Sequence, residues 1–139
     1  MFVLDTNVVS ELRKVRSGKA NAGVAEWATR VHSAEMFVSV ITMHELEHSV
    51  LLMERSDPDQ GAMLRAWLDE SVAAAFVDRV LPVDEDAAGR AAALHVPDPA
   101  PFRDALIGGT ALSRGMTVAT RDLKDFERFD GLGVLNPWS

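Results

Sequence analysis

The stretch that decides the architecture is Met1-Phe2-Val3-Leu4-Asp5-Thr6-Asn7-Val8-Val9-Ser10-Glu11-Leu12. Phe2 to Leu4 is a short, β-prone apolar run that ends at an acidic turn, and from Val8 the apolar spacing becomes helical. This reads as strand, acidic turn, helix. The same alternation recurs along the chain. Met36 to Ile41 is a second strand, after which Thr42 opens a helix that runs to Asp57-Pro58. Phe76 to Val83 reads as a third strand, Met116 to Ala119 as a fourth and Gly133 to Leu135 as a fifth. Strands alternating with helices predict an α/β fold: a parallel sheet of four or five strands with helices on both faces, hence three layers.

The punctuation between these elements is chemically specific. Ser17-Gly18-Lys19 breaks the first helix, and Asn21 caps a second that carries Val24, Trp27, Ala28 and Val31. Pro58 suits the first turn of a helix whose Met63, Leu64, Trp67, Leu68, Val72 and Ala75 form an apolar stripe. Asp84-Glu85-Asp86 sets three carboxylates at the positive end of the next helix, a capping pattern. Three prolines interrupt His95 to Pro101. Helical spacing then resumes from Phe102 to Arg114 and stops at Gly115.

With 139 residues, 47% of them apolar and 25% charged, the chain has the length and core material of one domain spanning 1–139. It contains no cysteine, which excludes a disulfide framework, a thiol nucleophile and a thiolate zinc site, and fits a reducing cytoplasm. No basic leader is followed by a long apolar stretch, and no run approaches a membrane span. The net charge of −7 provides no general attraction for nucleic acid, so a polyanion would have to be met through local positive charge or bound metal.

In a parallel sheet the C-terminal ends of the strands share one edge, and ligands bind in the crevice there. Asp5 follows the first strand, Glu45 lies in the first turn after the second, and Asp122 stands just beyond the fourth. Asp104 lies one turn into the helix leading to the fourth strand, and reaches that edge only if the connection is unusual. Carboxylates brought together in this way raise one another's pKa and destabilise the fold unless a cation joins them. All-oxygen donors without cysteine favour Mg²⁺ or Mn²⁺. Each acid also has a structural reading: Glu45 completes a capping-box spacing with Thr42, Asp5 and Asp104 suit helix starts, and Asp122 and Asp125 suit a turn. His44-Glu45-Leu46-Glu47-His48 reproduces H-E-x-x-H, but a zinc-protease reading leaves Asp5, Asp104 and Asp122 without a purpose.

Met-Phe-Val-Leu-Asp5-Thr6-Asn7, Glu45, Asp104 before Ala-Leu-Ile-Gly-Gly-Thr-Ala, and Val-Ala-Thr120-Arg121-Asp122 together resemble a PIN domain. Within that family the pattern is similar to the VapC-type toxins of bacterial toxin-antitoxin pairs, and the closing Asn136-Pro137-Trp138 is similar to the FitB-like branch. The resemblance implies a PIN-like fold and a metal-dependent ribonuclease. Its acidic pocket would be Asp5, Glu45, Asp104 and Asp122, holding Mg²⁺ or Mn²⁺, with Thr120 orienting a water or a carboxylate. Asn7 has two readings, polar support close to Asp5 and a turn role, of which the turn role is preferred. Asp98 is a further candidate acid, and Asp125 is the substitute should Asp122 point away. The resemblance also implies a cognate antitoxin, docking on exposed apolar residues of the early helices such as Leu12, Val15 and Trp27, with core packing the preferred reading of Trp27, and a homodimer.

Arg13, Lys14, Arg16 and Lys19, with Arg121 and Lys124, are candidates to hold an RNA backbone, or else a solvated face. Two other readings compete. One is a haloacid-dehalogenase-like phosphotransferase using Asp5 as nucleophile, although Asn7 stands where that chemistry wants a second aspartate. The other is a catalytically silent module that binds a partner.

Overall fold

The computed structural model describes residues 1–139. Its five strands, β1 (Phe2–Leu4), β2 (Met36–Ser39), β3 (Val80–Leu81), β4 (Thr117–Ala119) and β5 (Val134–Leu135), form one sheet in the order β3-β2-β1-β4-β5. Every neighbouring pair is parallel. Strand order turns back at β1, which lies between β2 and β4, so the switch point of the sheet is flanked by the ends of β1 and β4.

Side-chain alternation along the strands separates two cores. Leu4, Met36, Val38 and Ala119 face one side, where Val8 and Val9 of α1 (Thr6–Leu12), Trp27 of α2 (Ala22–Arg30) and Leu46 and Val50 of α3 (Val40–Ser56) cover them. Val3 and Val118 face the other side, covered by Ile107 and Ala111 of α7 (Phe102–Ser113) and by Phe126 of α8 (Leu123–Glu127). The result is the three-layer arrangement expected from the alternation of elements. Trp27 is a core residue, packed edge-on to Phe2 at 5.4 Å.

Two boundaries differ from the sequence reading. β2 stops at Ser39, whose hydroxyl accepts the Ile41 N–H at 3.0 Å and caps α3. Thr42 therefore lies buried inside the helix, and the capping box it would form with Glu45 does not exist. The third strand is only two residues long. After α4 (Pro58–Ala66) the helix continues through a π-helical stretch, Trp67–Val72, into α5 (Ala73–Ala75), so Phe76 ends a helix and does not begin a strand. The Arg79 guanidinium locks that end by donating to the carbonyls of Ala75, Ser33 and Met36. Asp78 takes a left-handed φ of 61° in the turn between them.

Two antiparallel helices, α6 (Glu85–Ala93) and α7, join β3 to β4; Arg114 at the end of α7 pairs with Asp84, the cap of α6, at 3.3 Å. Gly109 permits their close approach, since a Cβ there would lie 2.6 Å from the Ala87 carbonyl and the Ala91 nitrogen. α7 runs antiparallel to the strand it feeds, so its first turn lies at the C-terminal edge of the sheet. No unusual connection is needed to bring Asp104 there: this is where any helix entering a parallel strand from behind begins.

Candidate active site

Asp5 is both the last residue before α1 and its cap, with its carboxylate accepting the Thr6 N–H at 2.8 Å. Its backbone is pinned to β4 through a bond from its N–H to the Ala119 carbonyl at 2.9 Å. The side chain is 1% exposed. A buried carboxylate needs donors around it, and Asp5 has them: the Thr6 amide and Arg103 on Oδ1, and the Thr120 hydroxyl on Oδ2 at 2.7 Å.

Thr120 is fully buried and acts in two directions. While its Oγ1 donates to Asp5, it accepts the Asp122 N–H at 3.0 Å, tying the turn after β4 to the end of β1. Asn7, which the sequence reading assigns to the turn, completes this link from the first turn of α1. Its amide nitrogen donates to Asp122 Oδ2 at 3.1 Å, and its carbonyl oxygen accepts the Arg121 N–H at 3.3 Å. Asp122 itself is exposed, at the rim.

Glu45 reaches the same edge from α3. Thr6 Oγ1 donates to its Oε1 at 2.6 Å, and Arg103 pairs with that oxygen at 2.5 Å. Asp104, 5% exposed in the first turn of α7, meets Arg103 at 2.5 Å. Burial pushes the Asp104 carboxyl above the usual aspartate range, against the pull of Arg103; the negative charges of Asp125 and Asp5 push the same way as burial.

The residue that organises these acids, and that sequence reasoning missed, is Arg103. Its Nε faces Glu45, its Nη1 faces Asp104 and its Nη2 faces Asp5, one carboxylate per nitrogen. Burial alone would weaken its charge, yet the attraction of Asp5 and the hydrogen bonds to Glu45 and Asp5 outweigh that and hold its pKa above the normal arginine value. The available signal was position: a residue next to Asp104 in the first turn of α7 projects near the same sheet edge. Thr6 was missed similarly, having been assigned to the turn.

The structure thus brings Asp5, Glu45 and Asp104 around one guanidinium, with Thr120 behind Asp5 and Asp122 held at the rim through Asn7 and Thr120. Asp98, in the proline-rich segment, is not among the acids that Arg103 engages; its backbone carbonyl accepts from Arg128. His44 and His48 are exposed while Glu45 turns toward Arg103, so H-E-x-x-H does not form a site. The donor chemistry of the four acids, hard oxygens alone, fits Mg²⁺ or Mn²⁺. Their present arrangement is that of carboxylates spread around a planar cation, and no three acidic or imidazole side chains meet at a common ligating point.

Of the basic stretch, Lys14 pairs with Glu11 at 3.1 Å and Arg13 lies over Trp67 at 5.8 Å. Arg121 lies over Trp138 at 5.4 Å, which places the Asn136-Pro137-Trp138 tail beside the rim. No helix is long and apolar enough to cross a membrane.

Comparison with known proteins places the chain in a family. The chain is 34% identical over 143 residues to the VapC ribonuclease Y4jK of Sinorhizobium fredii, a match covering 99% of this chain and 98% of that one. It is 50% identical over 76 residues to ribonuclease VapC14 of Mycobacterium tuberculosis, covering 55% of this chain and 71% of that protein. Among solved structures, FitAcB from Neisseria gonorrhoeae superimposes with a TM-score of 0.88 at 31% identity, covering 99% of both chains. The PIN domain model matches residues 2–132, and with an acidic sheet edge built from Asp5, Glu45 and Asp104 the chain belongs to the PIN-domain family.

Proposed function

We propose that this chain is a ribonuclease toxin that hydrolyses RNA phosphodiester bonds with the help of Mg²⁺ or Mn²⁺ and is restrained by a cognate antitoxin protein. The observation that carries the reading is the gathering of Asp5, Glu45 and Asp104, from three distant parts of the chain, around a single cation at the switch point of the sheet. A fold that buries carboxylates in this way accepts a desolvation cost that a purely structural edge does not need.

Asp5, Glu45, Asp104 and Asp122 would hold the divalent ion. When bound, the ion supplies Lewis-acid polarisation of a phosphoryl oxygen and offsets the negative charge that otherwise repels a phosphate. The chain's own residues do the positioning. Thr120 keeps the Asp5 carboxylate turned to the site and holds the Asp122 backbone, Thr6 orients Glu45, and Asn7 fixes the Asp122 carboxylate. Arg121 and Lys124 stand at the rim, where an RNA backbone would pass. A single-stranded or looped segment suits a recessed site of this kind.

The antitoxin would dock beside α1, where a hollow lined by Leu12, Arg13, Trp67, Val72 and Phe76 opens next to the exposed Val15. Residues 1–139 would act as one unit in the cytoplasm, as a homodimer. The phosphotransferase alternative fares worse, because both oxygens of Asp5 are engaged by donors and no second aspartate stands at position 7.

The test is RNA cleavage by purified, partner-free protein in Mg²⁺ or Mn²⁺, with and without EDTA, alongside Asp104→Asn. Cleavage that disappears in EDTA and in the variant supports the reading. RNA left intact by the native chain in both metals would favour a silent partner-binding module.

A further inference from the structure

Arg103 occupies the space that Asp5, Glu45 and Asp104 enclose. Each of its three guanidinium nitrogens faces a different carboxylate, and Nη2 also lies 3.3 Å from Thr6 Oγ1. The oxygens it engages, Asp5 Oδ1, Asp104 Oδ1 and Glu45 Oε1, point to the centre of the cluster. Asp5 Oδ2, by contrast, turns back to Thr120. A hard cation that touches all three acids through these oxygens would replace the guanidinium, with the carboxylates, now spread around a planar cation, closing in on it.

Two further observations make displacement feasible. Arg103 is one-third exposed, so its long side chain has an open path to solvent, whereas Asp5 and Asp104 are buried. Its neighbour Phe102 at the start of α7 is also exposed and does not pack over the arginine. An arginine side chain keeps substantial rotamer freedom once its head is released, which favours exchange.

We infer that Arg103 is a built-in competitor for the metal: the guanidinium and a divalent cation take the same carboxylate oxygens in turn, so Arg103 sets the metal concentration at which the site fills. This rests on the metal-dependent reading above. While Arg103 is docked it neutralises part of the acidic cluster and keeps the three acids close together without a metal. Once displaced, it carries a free positive charge at the rim of a site whose proposed substrate is a polyanion.

The test is Mn²⁺ titration by calorimetry of the native chain, Arg103→Met and Arg103→Lys, with melting temperatures recorded in EDTA and in saturating Mn²⁺. The Met variant is expected to bind Mn²⁺ at least about tenfold more tightly, about 1.4 kcal/mol, with Lys between the two. In EDTA the Met variant should melt below the native chain, and saturating Mn²⁺ should narrow or reverse that difference. Equal or weaker Mn²⁺ binding by Arg103→Met would overturn the competition while leaving metal dependence intact. Absence of Mn²⁺ binding by every form would overturn both. The native chain provides a check that does not depend on variant folding: the Arg103 Nε–H resonance should shift toward that of a solvated guanidinium as Mg²⁺ is added. A resonance unmoved at saturating Mg²⁺ would show that Arg103 stays docked, and would end the proposal.

Discussion

Two arginines in this molecule each hold three acids, and the contrast between them separates an ordinary surface network from the candidate active site. Arg65 of α4 reaches Glu47 at 2.6 Å, Glu54 at 3.1 Å and Asp69 at 3.5 Å, stitching α3 to α4 and to the π-helical stretch that follows. Arg103 likewise reaches Asp5, Glu45 and Asp104. The two guanidiniums are similarly exposed, at 28% and 33%. The acids differ. Those around Arg65 are all substantially open to water, and the hydrogen bonds from Arg65 hold Glu47 below the usual carboxylate range. Around Arg103, Asp5 and Asp104 are buried, and burial drives Asp104 the opposite way. An arginine with three carboxylates is therefore not itself a sign of function; the depth of the carboxylates is.

Activity should break the comparison most widely. Asp5→Asn is expected to lower RNA cleavage by about 10²–10³-fold, the scale for removing one positioned charge from a reacting centre, whereas Glu47→Gln should leave cleavage unchanged. Equal losses from both, in rates measured under matched metal concentrations, would dissolve the distinction. Next in size is Thr120→Val, which leaves Asp5 Oδ2 and the Asp122 N–H without their partner. Its cost of about 1–3 kcal/mol corresponds to a melting temperature lower by roughly 3–12 °C for a chain of this length. Thr120→Ser should restore most of that loss, which thermal denaturation in EDTA will show.

The pH dependence sharpens the difference between the two clusters. The folded state raises the pKa of Asp104, so it binds that proton more readily than the unfolded chain does. The resulting stability is present below the ordinary aspartate value of about 3.9 and is lost as pH rises through the folded pKa. Asp104→Asn should then melt a few degrees above the native chain at pH 7 in EDTA, with the gap closing as pH falls toward 4. Glu47, with its pKa lowered, has the opposite sign: it contributes stability above the ordinary glutamate value that is lost as pH falls through its folded pKa. Glu47→Gln should be neutral to slightly destabilising at pH 7 and indistinguishable from native at low pH. The smallest effect is expected from Arg65→Ala, a slight drop in melting temperature without change in cleavage, because its partners return to water when released.

Crowded acids were expected to raise one another's pKa, and for Asp104 the rise is present with burial as its largest cause. Asp5, the most buried of the set, has its carboxylate surrounded by an amide, a hydroxyl and a guanidinium. The Thr42–Glu45 spacing offers a capping box as the structural alternative for Glu45 because local pattern cannot register that Ser39, three residues earlier, takes the cap. Phe76 was placed in a strand because an apolar run after an alanine-rich segment looks the same whether a helix has ended or not. Arg103 was passed over because a cation beside an aspartate in a helix start is ordinary on a surface.

The sequence by itself determined the alternation of strands and helices, the three layers, and the four acids at strand ends and helix starts. These follow from periodicity, caps and turns, which act over a few residues and are written where they act. Only the tertiary structure decided which acids share a cation and which remain at the rim, that Thr6 and Asn7 serve the site, and that Arg103 stands at its centre. Those outcomes depend on contacts spanning 36 to 115 residues of chain and on how much water each carboxylate keeps, and neither quantity is carried by any local stretch.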